Sequence, residues 1–283
     1  MRSSFGFLAS AAGVGGSFTR PFQEPLPVQA ASMLPSVGGY GSSRVEQFRF
    51  HDLLSFKAAY TLVMGSEYVK NGKRERATLA LGVVEGLNVL DMVTADRVVG
   101  RLVSETVLTH DGVAQPAEVQ DPTWLPAGSY FENLRIGGRL IEPRPHKRLA
   151  DWATLKAGRQ ALEPPKLVPS LEPPTLAPSV EAKDAAGQEK DKKDYTYLST
   201  CEAVASLPAA RQGNPLRCSM FEHDEKDETG DHHYTIAGFG EVFLGEYVVG
   251  TGFRKLTMIR LALGCPAEGD VGVVSLQGNG SPY

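Results

Sequence analysis

Between residues 162 and 179 the chain repeats itself. Leu162 to Ser170 reads LEPPKLVPS and Leu171 to Ser179 reads LEPPTLAPS, identical at seven of nine positions. Paired prolines hold φ near the polyproline II value and lack amide hydrogens, so this stretch enters neither a helix nor the middle of a sheet. Glu181 to Asp194 (EAKDAAGQEKDKKD) follows with almost no apolar residues. Such a segment buries too little surface to offset its ordering entropy. Residues 161–194 therefore read as a semi-rigid spacer and a solvated tether that part the chain in two. A sharper reading makes the proline repeat a docking ligand for an aromatic groove.

Either side of that boundary the pattern is one of strands. Thr78 to Glu85 places Leu79, Leu81 and Val83 on one parity, and Arg97 to Val107 alternates in the same way. Phe131 to Ile136, Gly137-Gly138 and Arg139 to Ile141 form a hairpin signature. Glu241 to Val249 and Phe253 to Leu263, parted by Gly250-Thr251-Gly252, read as a long hairpin, with Val271 to Leu276 as a further strand. Val45 to Val63 has an ambiguous period, since Phe50, Leu53, Leu54 and Lys57 also suit a short helix. Helix is otherwise expected only at Asp151 to Gln160. The 30 glycines, about 11% of 283 residues, exceed the usual ~7% and fit frequent turns.

The fold class expected is all-β: an antiparallel β-sandwich or barrel with a Pro-rich inserted linker and little helix. Residues 1–36, rich in Gly, Ala, Ser and Pro, read as a flexible N-terminal arm. Residues 37–160 form the first part of the sandwich, 161–194 the linker, and 195–283 the C-terminal hairpin part of the same sandwich or a second small β-domain.

Charge and cysteine content narrow the function classes. A net charge of −4 gives no basic footprint for nucleic acid, and no apolar run approaches the ~20 residues of a membrane span. Phe5 to Leu8 is too short for the apolar core of a signal peptide, although Ala9-Ser10-Ala11 imitates a cleavage site. The protein is expected to be cytoplasmic, or exported by a non-classical route to a surface. Cys201, Cys218 and Cys265 read as three free thiols, with a Cys201–Cys218 loop as the alternative. Cys265 is expected to be buried at a strand end.

Candidate chemistry concentrates at residues 223–233, HDEKDETGDHH. Carboxylates suit calcium and imidazoles suit zinc or nickel, so His223, Asp231, His232 and His233 form a candidate site for a divalent cation. The spacing matches no closed motif, and a solvated acidic loop explains the same residues. Asp91 and Asp96 are candidates for an acid and base pair, or simply a turn residue and a surface ion-pair partner. No nucleophile elbow, phosphate loop or dinucleotide fingerprint occurs. Trp124, Tyr130, Phe131 and Trp152 suit a ligand groove that could take carbohydrate, although core filling is the commoner use of such residues.

Two segments carry a resemblance. Val84 to Val99 (VEGLNVLDMVTADRVV) and Gly128 to Gly138 (GSYFENLRIGG) resemble uncharacterised bacterial β-rich proteins with GLNxLDxVTADRVVxRL and GSxFENLRIxG segments. Leu256 to Cys265 resembles their C-terminal portion. A fainter likeness to secreted bacterial anchor-type β-proteins implies a surface setting. Neither resemblance implies a cofactor or a catalytic residue.

These observations point to a non-enzymatic structural or binding protein. It would self-assemble as a homo-oligomer, or dock another protein, through its N-terminal arm, its Pro-rich spacer and edge strands such as Phe239 to Val249. The rival is a metal-dependent or carbohydrate-active enzyme built on residues 223–233.

Overall fold

Residues expected as a flexible arm instead supply strands at one side of a sheet. The computed structural model describes residues 7–107, 123–125, 128–145, 196–197, 216–222, 233–250 and 253–279. The first strand, β1 (Ala9–Arg20), pairs along one side with the last, β19 (Glu268–Asn279). On its other side it pairs with β2 (Glu24–Gln29) and β3 (Ser32–Met33). The small residues that suggest flexibility have a packing role. Ala9 and Ala11 are almost fully buried, and a Cβ on Gly13 would stand 3.0 Å from that of Ala59 in the opposite sheet.

From β3 the chain crosses to a second sheet and winds through four long antiparallel strands. These are β4 (Gly39–Phe50), β5 (Leu54–Lys70), β6 (Lys73–Val89) and β7 (Val93–Val107). Short strands continue beyond β7: β8 (Thr123–Leu125), β9 (Tyr130–Glu132), β10 (Arg135–Ile136) and β11 (Arg139–Leu140). The β10–β11 hairpin turns on Gly137 and Gly138, both at positive φ, as the paired glycines predict. A small ladder joins β12 (Arg144–Pro145) to β15 (Phe221–Glu222).

The C-terminal residues return to the first sheet. It contains β13 (Thr196–Tyr197), β14 (Leu216–Ser219), β16 (His233–Ile236), β17 (Gly240–Gly250) and β18 (Phe253–Leu263), in the order β13-β14-β17-β18-β19-β1-β2. The β17–β18 hairpin is as the sequence predicts. Its expected edge is not. β17 is flanked by β18 on one side and by β14 and β16 on the other, so Phe239 to Val249 offers no open edge. The described chain is thus all-β: two antiparallel sheets, with a short parallel β13–β14 contact, enclosing one apolar core. Among the described residues no helix is long and apolar enough to cross a membrane. The expected helix at Asp151 to Gln160 and the linker 161–194 lie outside the described residues.

The ambiguous period of Val45 to Val63 has a physical origin. Inward-facing residues along β5 run Leu54, Phe56 and then Ala59, Thr61, Val63, so the step at Lys57 is three residues, not two. The neighbouring strands take the same step opposite it, from Val45 to Phe48 in β4, Val84 to Leu87 in β6 and Ala95 to Val98 in β7. The first sheet repeats the device, with Ala11 to Val14 opposite Leu276 to Val273, and Ile259 to Leu256 opposite Leu244 to Tyr247. Each sheet is therefore creased across four strands. Alternate strands supply a residue at positive φ on the line: Gln47, Gly86, Gly245 and Val274. Such irregularities bend a strand and reverse its two faces, which lets strands of up to 17 residues curve round one core.

Where the creased first sheet meets the second, Val274 enters a gap left by two glycines. A Cβ on Gly100 would come within 2.6 Å of Val274 Cγ1 and 2.9 Å of Met258 Cγ, and one on Gly82 within 2.9 Å of Val274 Cγ1. Gly100→Ala should therefore destabilise the chain by about 1–3 kcal/mol through overpacking. Combined with Val274→Ala, the loss measured by urea unfolding should be smaller than the sum of the two single losses, because the second change removes the clashing methyls.

Candidate functional site

The two segments that carry the resemblance touch each other. β9 and β10 pair with β7, which brings Glu132 and Asn133 to the strand bearing Asp96 and Arg97. Asn133 Nδ2 donates to Asp96 Oδ2 at 2.6 Å, and Arg97 reaches Glu85 at 3.0 Å and Glu132 at 3.3 Å. The Tyr130 hydroxyl, followed by Glu85 and Glu132, holds the Arg97 guanidinium above its usual pKa. Asp91 lies in the β6–β7 turn, where Asn88 Nδ2 donates to its carboxylate and the Asp91 amide donates to Asn88 Oδ1. Asp91 and Asp96 are therefore each tied to an amide side chain in an exposed position. Asp96 does not pair with Arg97, which is held instead by Glu85 and Glu132.

Of the expected cation ligands, His223, Asp231 and His232 lie outside the described residues, and His233 alone can be placed. β16 sets His233 directly opposite Phe243 of β17, which is opposite Arg260 of β18, which is opposite Gly272 of β19. Directly opposed residues share a face, so the three side chains stack in a row on the outside of the first sheet. The imidazole and phenyl centroids are 5.1 Å apart at 27°, and the guanidinium carbon lies 3.7 Å from the phenyl centroid. Gly272 leaves the next place in the row without a side chain. Arg260 Nε donates to both oxygens of the Glu246 carboxylate at 3.1 Å, and its Nη1 is 3.6 Å from Asp270.

His233 Nε2 is 3.8 Å from Glu241, and its buried Nδ1 has no hydrogen-bond partner among the described residues. Among the described residues, no group of three or more His, Cys, Asp or Glu side chains could hold a metal ion. The row is a cation–π stack anchored on a carboxylate whose side chain is only 6% exposed. Arg260→Met should cost about 1.5–3 kcal/mol in denaturant unfolding, because it strips a charged hydrogen-bond partner from Glu246. Arg260→Lys should recover only part of this, since an ammonium lacks the flat fork that both stacks and bonds.

Other candidates resolve individually. Cys265 is exposed in the turn after β18, not buried, while the side chains of Cys201 and Cys218 lie outside the described set. Phe131 packs inward on Phe221 at 5.2 Å, as core filling requires, whereas Tyr130 is exposed. The side chains of Trp124 and Trp152 are outside the described residues.

The feature that residue-by-residue reading missed is the margin of the second sheet. β4 is its terminal strand, and among the described residues no strand pairs with the far side of β4. The tight turn Asn71-Gly72, with both residues at positive φ, closes the Lys70–Lys73 pair. Counting back in twos, the even-numbered residues of β5 from Lys70 to Tyr60 hydrogen-bond to β6, and the odd ones turn to β4. Their partners in β4 are Gly39, Gly41, Ser43 and Val45. The main-chain donors and acceptors of Tyr40, Ser42, Arg44 and Glu46 therefore face the open side. Tyr40, opposite Met64, is 75% exposed, and Val37 and Met33 are exposed nearby. The opposite sheet ends differently, with Pro25 and Pro27 in β2.

Comparison with family descriptions matches residues 5–250 to the Domain of unknown function (DUF8256). Comparison with curated proteins and with solved structures finds no match.

Proposed function

The chain belongs to the DUF8256 family, and we propose that it serves as a non-enzymatic structural or binding β-sandwich that docks a partner strand along the open edge of β4. One observation carries this reading: the outward main-chain groups of Tyr40, Ser42, Arg44 and Glu46, to which no strand is hydrogen-bonded among the described residues. An extended segment laid there gains a ladder of main-chain hydrogen bonds, which is how sheet edges recruit partners. The exposed Tyr40, Met64, Val37 and Met33 add apolar contact at the start of the strand. In this reading docking passes from the N-terminal residues, which belong to the first sheet, to β4. The Pro-rich spacer can still tether the assembly.

The rival, a metal-dependent or carbohydrate-active enzyme on residues 223–233, draws support from the Nδ1 of His233, which has no hydrogen-bond partner among the described residues. Elemental analysis of the purified chain separates the two. No stoichiometric metal is expected, and one metal per chain that disappears in His233→Ala would favour the enzyme.

The edge itself is tested by Ser42→Pro, which deletes one outward amide while leaving the bonds to β5 intact. Phage-displayed random peptides selected on the full chain should lose roughly tenfold in affinity for this variant, at unchanged near-UV circular dichroism. Peptides that bind both forms equally would remove β4 as the docking site.

A further inference from the structure

We infer that the strand docking on β4 is β4 of a second copy of this chain, antiparallel about a two-fold axis through Val45. This rests on the reading of the β4 edge as a docking site and names its occupant. Natural sheets guard edges with proline, lysine or very short strands. Among the described residues, the first sheet ends at β2, with Pro25 and Pro27, and at the two-residue β13, while the second ends at the two-residue β11 on its other side. β4 is twelve residues long and contains neither proline nor lysine. Among the described residues this leaves one long edge without proline or lysine, and pairing it with itself closes a dimer and leaves nothing to propagate.

Register follows from parity and charge. The outward main-chain groups sit on even-numbered residues, so a self-paired ladder must match even with even. With Val45 on the axis, Arg44 of each copy lies opposite Glu46 of the other, twice over. Sliding the pairing by two residues in either direction sets Arg44 against Arg44 or Glu46 against Glu46, and like charges directly opposed are unfavourable. Both side chains are already on the outer face, 62% and 61% exposed, with Arg44 Nε 2.7 Å from Glu46 of its own chain. They can exchange partners without leaving that face. On the inner side, Val45 and Phe48 are only partly buried at the margin of the core, and a neighbouring β4 would cover them. The crease at Gln47, where φ is 51°, turns the strand and confines the ladder to the residues around Val45.

The test is sedimentation equilibrium of the full chain across a dilution series at low salt. A monomer–dimer equilibrium is expected. Arg44→Glu and Glu46→Arg should each weaken it roughly tenfold, since each reverses both cross-strand pairs, and the double variant Arg44→Glu/Glu46→Arg should restore it. A chain that stays monomeric throughout, an association untouched by the single reversals, or a double variant without rescue would overturn the self-pairing. If self-association is absent while peptides still bind in a Ser42-dependent way, the docking edge stands and only its occupant is wrong. If both are absent, the edge falls as well.

Discussion

Two sheets approach only as closely as their facing side chains allow, and here that distance is set by residues with little or no side chain. Gly13 lies over Ala59, while Gly82 and Gly100 accept the isopropyl group of Val274 and, at Gly100, the side chain of Met258. Ala9, Ala11, Ala59 and Ala80 are each almost wholly buried along with them. Larger residues at these positions would push the sheets apart and open the interior that Leu256, Ile259, Leu261 and Leu276 now fill. The remaining architecture depends on this seam. It requires β1 inside the first sheet, between β19 and β2, because β1 supplies small residues to one side of it.

The creases follow from the same demand. A long strand with strict alternation would carry its inner face off a compact core before its end, whereas a three-residue step lets both halves face inward. Because strands are hydrogen-bonded neighbours, one irregularity has to be matched by the next, and the step crosses β4 to β7 and β1, β17, β18 and β19 as continuous lines. Val274 pays for its place at φ 51°, a conformation that β-branched residues rarely adopt, and the contacts in the glycine gap hold it there.

Edges decide how such a sandwich meets other molecules. The outer face of the first sheet is occupied by the His233–Phe243–Arg260 row, whose groups bond and stack with one another. β2 carries prolines and β17 is enclosed. Among the described residues no strand is hydrogen-bonded to the outward main chain of β4, and its Arg44 and Glu46 are the charges on which the proposed antiparallel self-pairing rests.

Much of the local structure was legible in the sequence. The alternation of Arg97 to Val107, the paired glycines after Ile136 and the two runs flanking Gly250 report strands and turns because period and positive φ are properties of a few adjacent residues. The Ala- and Gly-rich start misled for the same reason. Small side chains suit a mobile arm and a tight seam alike, and only the residues opposite them, such as Ala59 and Val274, distinguish the two. Asp91 and Asp96 were visible as carboxylates, but their amide partners Asn88 and Asn133 and the crease at Asp96 and Arg97 were not. His233 was picked out for its neighbours in sequence, whereas its partners Phe243 and Arg260 come from across the sheet. By itself the sequence determined that the chain is all-β, where its main turns fall and where proline forbids a sheet. The tertiary structure decided which strands lie side by side, and hence which edge stays open. That order depends on pairings between residues as distant as Ala9 and Gly278, which no local pattern encodes.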